Sequence, residues 1–108
     1  MKLLKRALFS IEDEDYSKAN EILEKVLDNN PECAEAYAYK ILIDKKLHKL
    51  EDLGTLSDPL DNDKNYQKAI RFASPEFLSK IEGYNKIIIS NLTGKYKKQI
   101  YNNAISEK

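Results

Sequence analysis

The sequence predicts an all-α fold, and three observations carry that expectation. Apolar residues recur at three- and four-residue intervals through most of the 108 residues, the spacing of one face of a helix. Glycine and proline are scarce, with three of each, which leaves little chain for turns and long loops. Pro31, Pro59 and Pro75 fall between the periodic runs and not inside them. A chain of this length is one domain and buries roughly two thirds of its unfolded surface.

Leu3, Leu4, Ala7, Leu8 and Ile11 give an amphipathic first helix from about Lys2 to Glu12. The acids Asp13 to Asp15 follow and suit the positive end of a second helix, about Asp15 to Asp28. Ala19, Ile22, Leu23, Val26 and Leu27 form its inward face, and Asn29-Asn30-Pro31 stops it. A third helix starts at Pro31 or Glu32 with Asn30 as N-cap, carries Cys33, Ala36, Tyr37, Ile41 and Leu42, and ends near Lys46. From Leu47 to Asn62 the period is lost. Residues 49–53 allow one helical turn stopped by Gly54, and residues 55–62 read as irregular. Leu50, Leu53 and Leu60 are nevertheless out of place in a polar linker, so this segment is expected to be ordered and pinned to the helices. The next helix begins near Asp63 with Tyr66, Ala69, Ile70 and Phe72. Ser74-Pro75-Glu76 then supplies an N-cap and a first-turn proline for a helix from Pro75 to at least Asn91. Phe77, Leu78, Ile81, Tyr84, Ile88 and Leu92 make its stripe. Gly94 marks a break or kink, after which Tyr96, Ile100, Ala104 and Tyr101, Ile105 resume helical spacing.

Asp15-Tyr16-Ser17-Lys18-Ala19, with Leu23, Val26 and Pro31 behind it, resembles the second half of a tetratricopeptide repeat. Ala7 stands at the small position of the first half, whereas Arg6, Ser10 and Glu14 depart from the pattern. Tyr37 opens a second repeat, in which Lys40, Ile41 and Asp44 depart. Asn65-Tyr66-Gln67-Lys68-Ala69 copies the Asp15–Ala19 segment about 50 residues on, where that family repeats every 34 or so. The resemblance therefore implies repeat one over residues 1–31, repeat two over 32–73 with an insertion at 47–62, and a terminal helix or helices over 75–108. The segments from Asp28 to Tyr37, from Asn65 to Ala69 and from Phe77 to Asn85 further resemble a bacterial tetratricopeptide-like domain. The fold so implied is a set of antiparallel helical hairpins forming a right-handed superhelix of five to six helices. Its repeat-defining residues are Ala7, Tyr16, Ala19, Leu23, Pro31, Tyr37, Tyr66 and Ala69.

The residues themselves offer little chemistry. Asp61-Asn62-Asp63-Lys64-Asn65 matches the first ligands of an EF-hand loop, but Tyr66 replaces the turn glycine and Phe72 the bidentate glutamate. Helix capping accounts for these acids, and no metal is expected. Cys33 and His48 lack an orienting third group and an oxyanion motif. Gly54, Gly83 and Gly94 stand alone and form no phosphate loop. No cofactor and no enzymatic activity are expected. With 18 basic and 18 acidic residues the net charge is zero, which argues against nucleic acid or an anionic membrane as partner. Arg6 and Arg71 are the only arginines, so bidentate anion recognition is sparse. Lys95, Lys97 and Lys98 beside Tyr96 and Tyr101 read as a solvated face. The lone Cys33 permits no internal disulfide and fits a reducing compartment. No run approaches a transmembrane length and no signal-peptide core follows Met1-Lys2-Leu3, so the cytoplasm is the expected location.

The implied function is a non-catalytic protein–protein interaction module that binds an unknown protein or peptide. The groove of such a scaffold is lined by the first helix of each pair. By register this selects Leu4, Leu8, Ile11, Glu12, Glu35, Ala38, Leu42 and Lys45. The alternative is a structural or self-association domain, possible as a homodimer, whose groove is filled by its own C-terminal helix or by a second chain. Leu4, Leu8 and Leu42 are apolar enough that something is expected to cover them. The repeat register itself is testable: Ala19→Leu and Ala69→Leu should each destabilise the fold by about 1–3 kcal/mol through overpacking. Unchanged melting temperatures for both would refute that register.

Overall fold

The computed structural model describes the backbone of residues 2–106 and the side chains of residues 2–92. In chain order the elements are α1 (Lys2–Glu12), α2 (Tyr16–Asn29), α3 (Ala34–Asp44), a 3₁₀ helix (Leu50–Thr55), α4 (Lys64–Phe72) and α5 (Pro75–Ser106). No strand occurs among the described residues, and the fold is all-α.

Helices α1 and α2 form an antiparallel hairpin around small residues. Ala7 and Ile11 of α1 and Ala19 and Leu23 of α2 are fully buried, and alanine at a contact lets two helices pack closely. The turn between them has a specific form. Glu14 adopts the left-handed conformation at φ 64°, its N–H donates to the Ile11 carbonyl at 3.0 Å, and the Asp15 N–H donates to Ser10 at 2.8 Å. This pair of bonds is the Schellman pattern, which satisfies the last carbonyls of α1. Asp15 then caps α2 by accepting the Lys18 N–H at 3.3 Å. The end of α3 repeats the arrangement: Lys46 has φ 57°, with Lys46 N–H to Ile43 at 3.2 Å and Leu47 N–H to Leu42 at 2.8 Å.

Helix α3 starts later than the sequence predicts. Asn30 does not cap it; its Oδ1 accepts the Glu32 N–H at 3.2 Å and its carbonyl accepts the Cys33 N–H at 3.1 Å. Residues 30–33 therefore form a tight turn, an arrangement asparagine favours, and the helix opens at Ala34 with Cys33 at the capping position. Once formed, α3 touches α1, α2, α4 and the 3₁₀ helix. Its main partner is α4, so the long connection between them leaves the hairpin intact.

That connection is ordered. Leu50, Leu53 and Leu60 are all buried, as their apolar character predicts; the first two lie three residues apart, on one side of a 3₁₀ helix. The expected stop at Gly54 is absent. The 3₁₀ helix continues to Thr55, and Gly54 packs beside Ile87 of α5, where a Cβ would make an ordinary contact at 3.5 Å. Asp52 holds the start of the turn by accepting the N–H groups of His48 and Lys49 at 3.1 and 3.2 Å.

Asp63 caps α4 through the Tyr66 N–H at 3.0 Å, and Ser74 caps α5 through the Phe77 N–H at 3.2 Å. The expected break at Gly94 is not present, because α5 is continuous to Ser106; a lone glycine lowers helix stability without ending the helix. Ile81 and Ile88 of α5 share the larger core cluster with Ile11, Ile41, Leu42, Leu53, Leu60, Tyr66 and Ala69. A smaller cluster joins Ala7, Ile22, Leu23, Val26, Cys33 and Ala36.

One buried polar side chain fastens the connection to α5. Asn85, 5% exposed, accepts the Leu60 N–H at 2.7 Å and donates to Asp61 Oδ1 at 3.0 Å. Replacing it leaves a buried backbone N–H without its partner, which costs about 1–3 kcal/mol. Asn85→Ala is therefore expected to destabilise by that amount and to speed proteolysis between residues 55 and 62. A stable variant with uncut 55–62 chain would show that the amide is not the fastening.

Candidate interaction surface

Three of the eight residues expected to line a groove are closed off. Ile11, Ala38 and Leu42 are fully or almost fully buried, and Leu8 is half-buried against the same cluster. Leu4 is half-buried too, against the smaller cluster. Glu12 and Lys45 are exposed and Glu35 is partly exposed, where it accepts a weak hydrogen bond from the Cys33 thiol at 3.7 Å. The physical reason is that α3 is packed on several sides, with Ala34, Ala36, Ala38, Ile41 and Leu42 all buried and a strip through Lys40 and Asp44 left at the surface, so little of its apolar face remains open. Leucines of the 47–62 segment and the first half of α5 fill the space beside Leu42 in the larger cluster. The apolar tail residues Tyr96, Ile100, Tyr101, Ala104 and Ile105 lie outside the described side chains.

The residues expected to define a repeat have structural roles. Ala7, Ala19, Leu23 and Ala69 are fully buried and Tyr66 is nearly so. Tyr16 donates its hydroxyl to the Leu47 carbonyl at 3.1 Å. Tyr37 donates to the carbonyl of exposed Pro31 at 2.6 Å and packs its ring on Phe72 at 6.2 Å between centroids. Tyr39, unassigned by periodicity, is half-buried against both core clusters. The acids of the EF-hand-like segment are engaged locally: Asp63 caps α4 and Asp61 accepts from Asn85. No group of three or more histidine, cysteine or acidic residues capable of holding a metal occurs among the described residues.

What the surface does present is a run of three adjoining depressions along α3 and α4. The first, about 400 Å³, lies between Lys45, Leu56, Asp58, Pro59 and Asp63. A second, about 460 Å³, spans Asn20 of α2, Lys40, Ile43 and Asp44 of α3, and Lys64. The two share Asp63. The third, about 350 Å³, shares Lys64 and continues over Gln67, Lys68 and Arg71. Charge changes sign along the run. Asp58, Asp63 and Asp44 stand at one end and in the middle, while the far end is lined by cations and one amide. Lys40 in the middle is paired with Glu24 and donates to Asn20 at 3.0 Å. Sequence reasoning missed the cationic row, although cations at Lys64, Lys68 and Arg71 follow the i, i+4, i+7 spacing of one helix face.

Elsewhere, α5 exposes Ile87, Ile89 and Leu92, and α1 exposes Phe9. No described helix is long and apolar enough to cross a membrane. Comparison with known proteins finds no match: no family model, no curated protein and no solved structure is similar to the chain.

Cys33 and His48 have separate attachments. His48 Nε2 lies 2.7 Å from Glu14 Oε1. Cys33 is buried; that burial raises its pKa, and the Glu35 carboxylate adds to the effect against the opposing Ala36 backbone N–H. A raised pKa means less thiolate near neutral pH and hence a slow nucleophile. Native protein should be alkylated by iodoacetamide at least about tenfold more slowly than urea-unfolded protein, with the rate rising as pH is raised. Equal rates in the two states would contradict a buried, protonated thiol.

Proposed function

We propose that this chain is a non-catalytic, tetratricopeptide-like protein-interaction module that receives its partner along the α3–α4 surface. The observation that carries this reading is the continuity of the three depressions, which cross residues of three helices and the ordered connection. Such a concave run offers mixed charge and short apolar patches at Leu56, Pro59 and Ile43, the mixture found at non-obligate protein interfaces. Support for the repeat reading comes from the two hairpins, α1–α2 and α3–α4, joined through α1–α3 and α2–α3 contacts. The first helix of each pair ends in the same left-handed cap, at Glu14 and Lys46. Stacked hairpins of this kind begin a right-handed superhelix, and a lone buried thiol fits a cytoplasmic location.

A second reading is self-association, favoured by the exposed Ile87, Ile89 and Leu92 of α5. Site-specific photo-crosslinking in the producing cell separates the two. A photoreactive residue at Ser57 or Lys64 should give discrete heterologous adducts, and one at Glu21 or Lys25 on the exposed side of α2 should not. An adduct of twice the chain mass from position 92 would favour self-association. Indiscriminate or absent crosslinking from Ser57 and Lys64 would refute the α3–α4 surface as an interaction site.

A further inference from the structure

We infer that the α4 end of this surface is a docking site for an acidic helical segment of a partner protein. The inference rests on the reading of the α3–α4 run as an interaction surface and adds the chemistry of what binds there.

Lys64, Lys68 and Arg71 project from one face of α4 over about 10 Å of helix rise. All three are exposed, and among the described residues none of them forms an ion pair. The depression they line, about 350 Å³, contains Gln67 as its only other lining residue and no described carboxylate. In a chain whose net charge is zero, such segregation leaves this depression without a described carboxylate in its lining.

Local electrostatics disfavours the arrangement in the free protein. Lys64 occupies the first turn of α4, where the helix dipole disfavours a cation. Lys64 with Lys68 and Lys68 with Arg71 are like-charge neighbours at i,i+4 and i,i+3, which is unfavourable as well. A bound anionic group relieves all three conflicts at once. The cations are also partly pre-positioned. The Lys68 ammonium lies 5.4 Å over the Tyr37 ring and the Arg71 guanidinium 5.3 Å from the Phe72 ring. Those rings pack on each other and Tyr37 is tethered to Pro31, so less side-chain freedom is lost on binding.

The length and the neighbours of the row select the ligand. Beyond Lys64 the surface passes to Asp63 and Asp44, which would repel a polyanion continuing in that direction. Three cations over about 10 Å match three carboxylates at i, i+4 and i+7 of a facing helix. A nucleic acid needs a longer positive track than this face offers.

The test uses the whole chain and a fluorescent alanine-based helical peptide bearing glutamates at i, i+4 and i+7. Its glutamine counterpart, a single-stranded RNA and inorganic phosphate serve as competing ligands. Saturable binding of the glutamate peptide is expected at low ionic strength, weakened at least about tenfold by 0.5 M salt. The combined change Lys64→Glu, Lys68→Glu and Arg71→Glu should weaken it at least about tenfold while circular dichroism stays native. Should that variant unfold, Lys64→Gln, Lys68→Gln and Arg71→Gln, together with the salt series on the native chain, carry the same comparison. The inference is overturned if the glutamate peptide does not bind, if the glutamine peptide binds equally well, or if the charge changes have no effect. Tighter binding of RNA or phosphate, or a mass showing that a second copy occupies the face, would also overturn it. A partner crosslinked from position 64 that lacks an acidic helical segment would overturn this inference and leave the interaction reading standing.

Discussion

Enclosure of α3 is the constraint around which the other elements are arranged. A helix with Ala34, Ala36, Ala38, Ile41 and Leu42 all buried keeps only a narrow strip through Lys40 and Asp44 at the surface, so it needs partners on several sides. Its neighbours α1, α2, α4 and the 3₁₀ helix supply them. This requirement explains why the 47–62 segment is ordered. Leu53 and Leu60 are not decorations on a loop but part of the apolar shell that closes over Leu42 and Ile41. It also explains why Asn85 is buried, because a backbone that crosses an apolar surface must still find a partner for its N–H groups. The Leu60 N–H finds the Asn85 carbonyl oxygen.

The two hairpins are tied where their first helices end. Left-handed conformations at Glu14 and Lys46 are unfavourable for residues with a Cβ, and side-chain contacts around both turns oppose that cost. Glu14 meets His48 at 2.7 Å, the Lys46 ammonium lies 4.8 Å over the Tyr16 ring, and the Tyr16 hydroxyl reaches the Leu47 carbonyl. Each contact crosses from one hairpin turn to the other. The Tyr16 phenol has its pKa raised by desolvation, with the carboxylates of Glu14 and Asp52 adding to it, which extends its protonated, donating form further into the alkaline range. Glu14, which departs from the repeat pattern, thus takes part in the link between the hairpins.

Most of the fold was legible in the sequence because it rests on short-range rules. Periodicity placed the helices, Asp63 and Ser74 were readable as caps, and the leucines at 50, 53 and 60 announced an ordered connection. The errors share a different origin. Asn30 was read as a cap when it closes a turn, since one side chain can serve either role and the burial of Cys33 decides between them. Gly54 suggests a stop and Gly94 a break or kink, yet glycine only permits such a change, and neighbouring contacts determine whether one forms. Of the candidate groove, Ile11, Ala38 and Leu42 are buried, whereas Lys45 lines the α3–α4 surface. Its residues were chosen by register within a repeat, but whether a helix face is open depends on what else covers it. The alternating alanines at 34, 36 and 38 were the signal that α3 is closed on more than one side.

Sequence reasoning misses the cationic row on α4 for the opposite reason, namely that the buried core makes no use of it. A nine-residue helix is too short to be stable alone. What holds α4 is the burial of Tyr66 and Ala69, the Asp63 cap and the Gln67 amide donating to the Asp61 carbonyl at 2.9 Å. Lys64, Lys68 and Arg71 contribute to none of these attachments, and their mutual repulsion works mildly against the helix. Periodicity analysis looks for residues that a core requires, so it passes over a face that the core does not need. Such a face is free to be shaped by binding. On α4 the inner side fixes the position of the helix, and the outer side can therefore hold an unfavourable set of charges without loss of the fold.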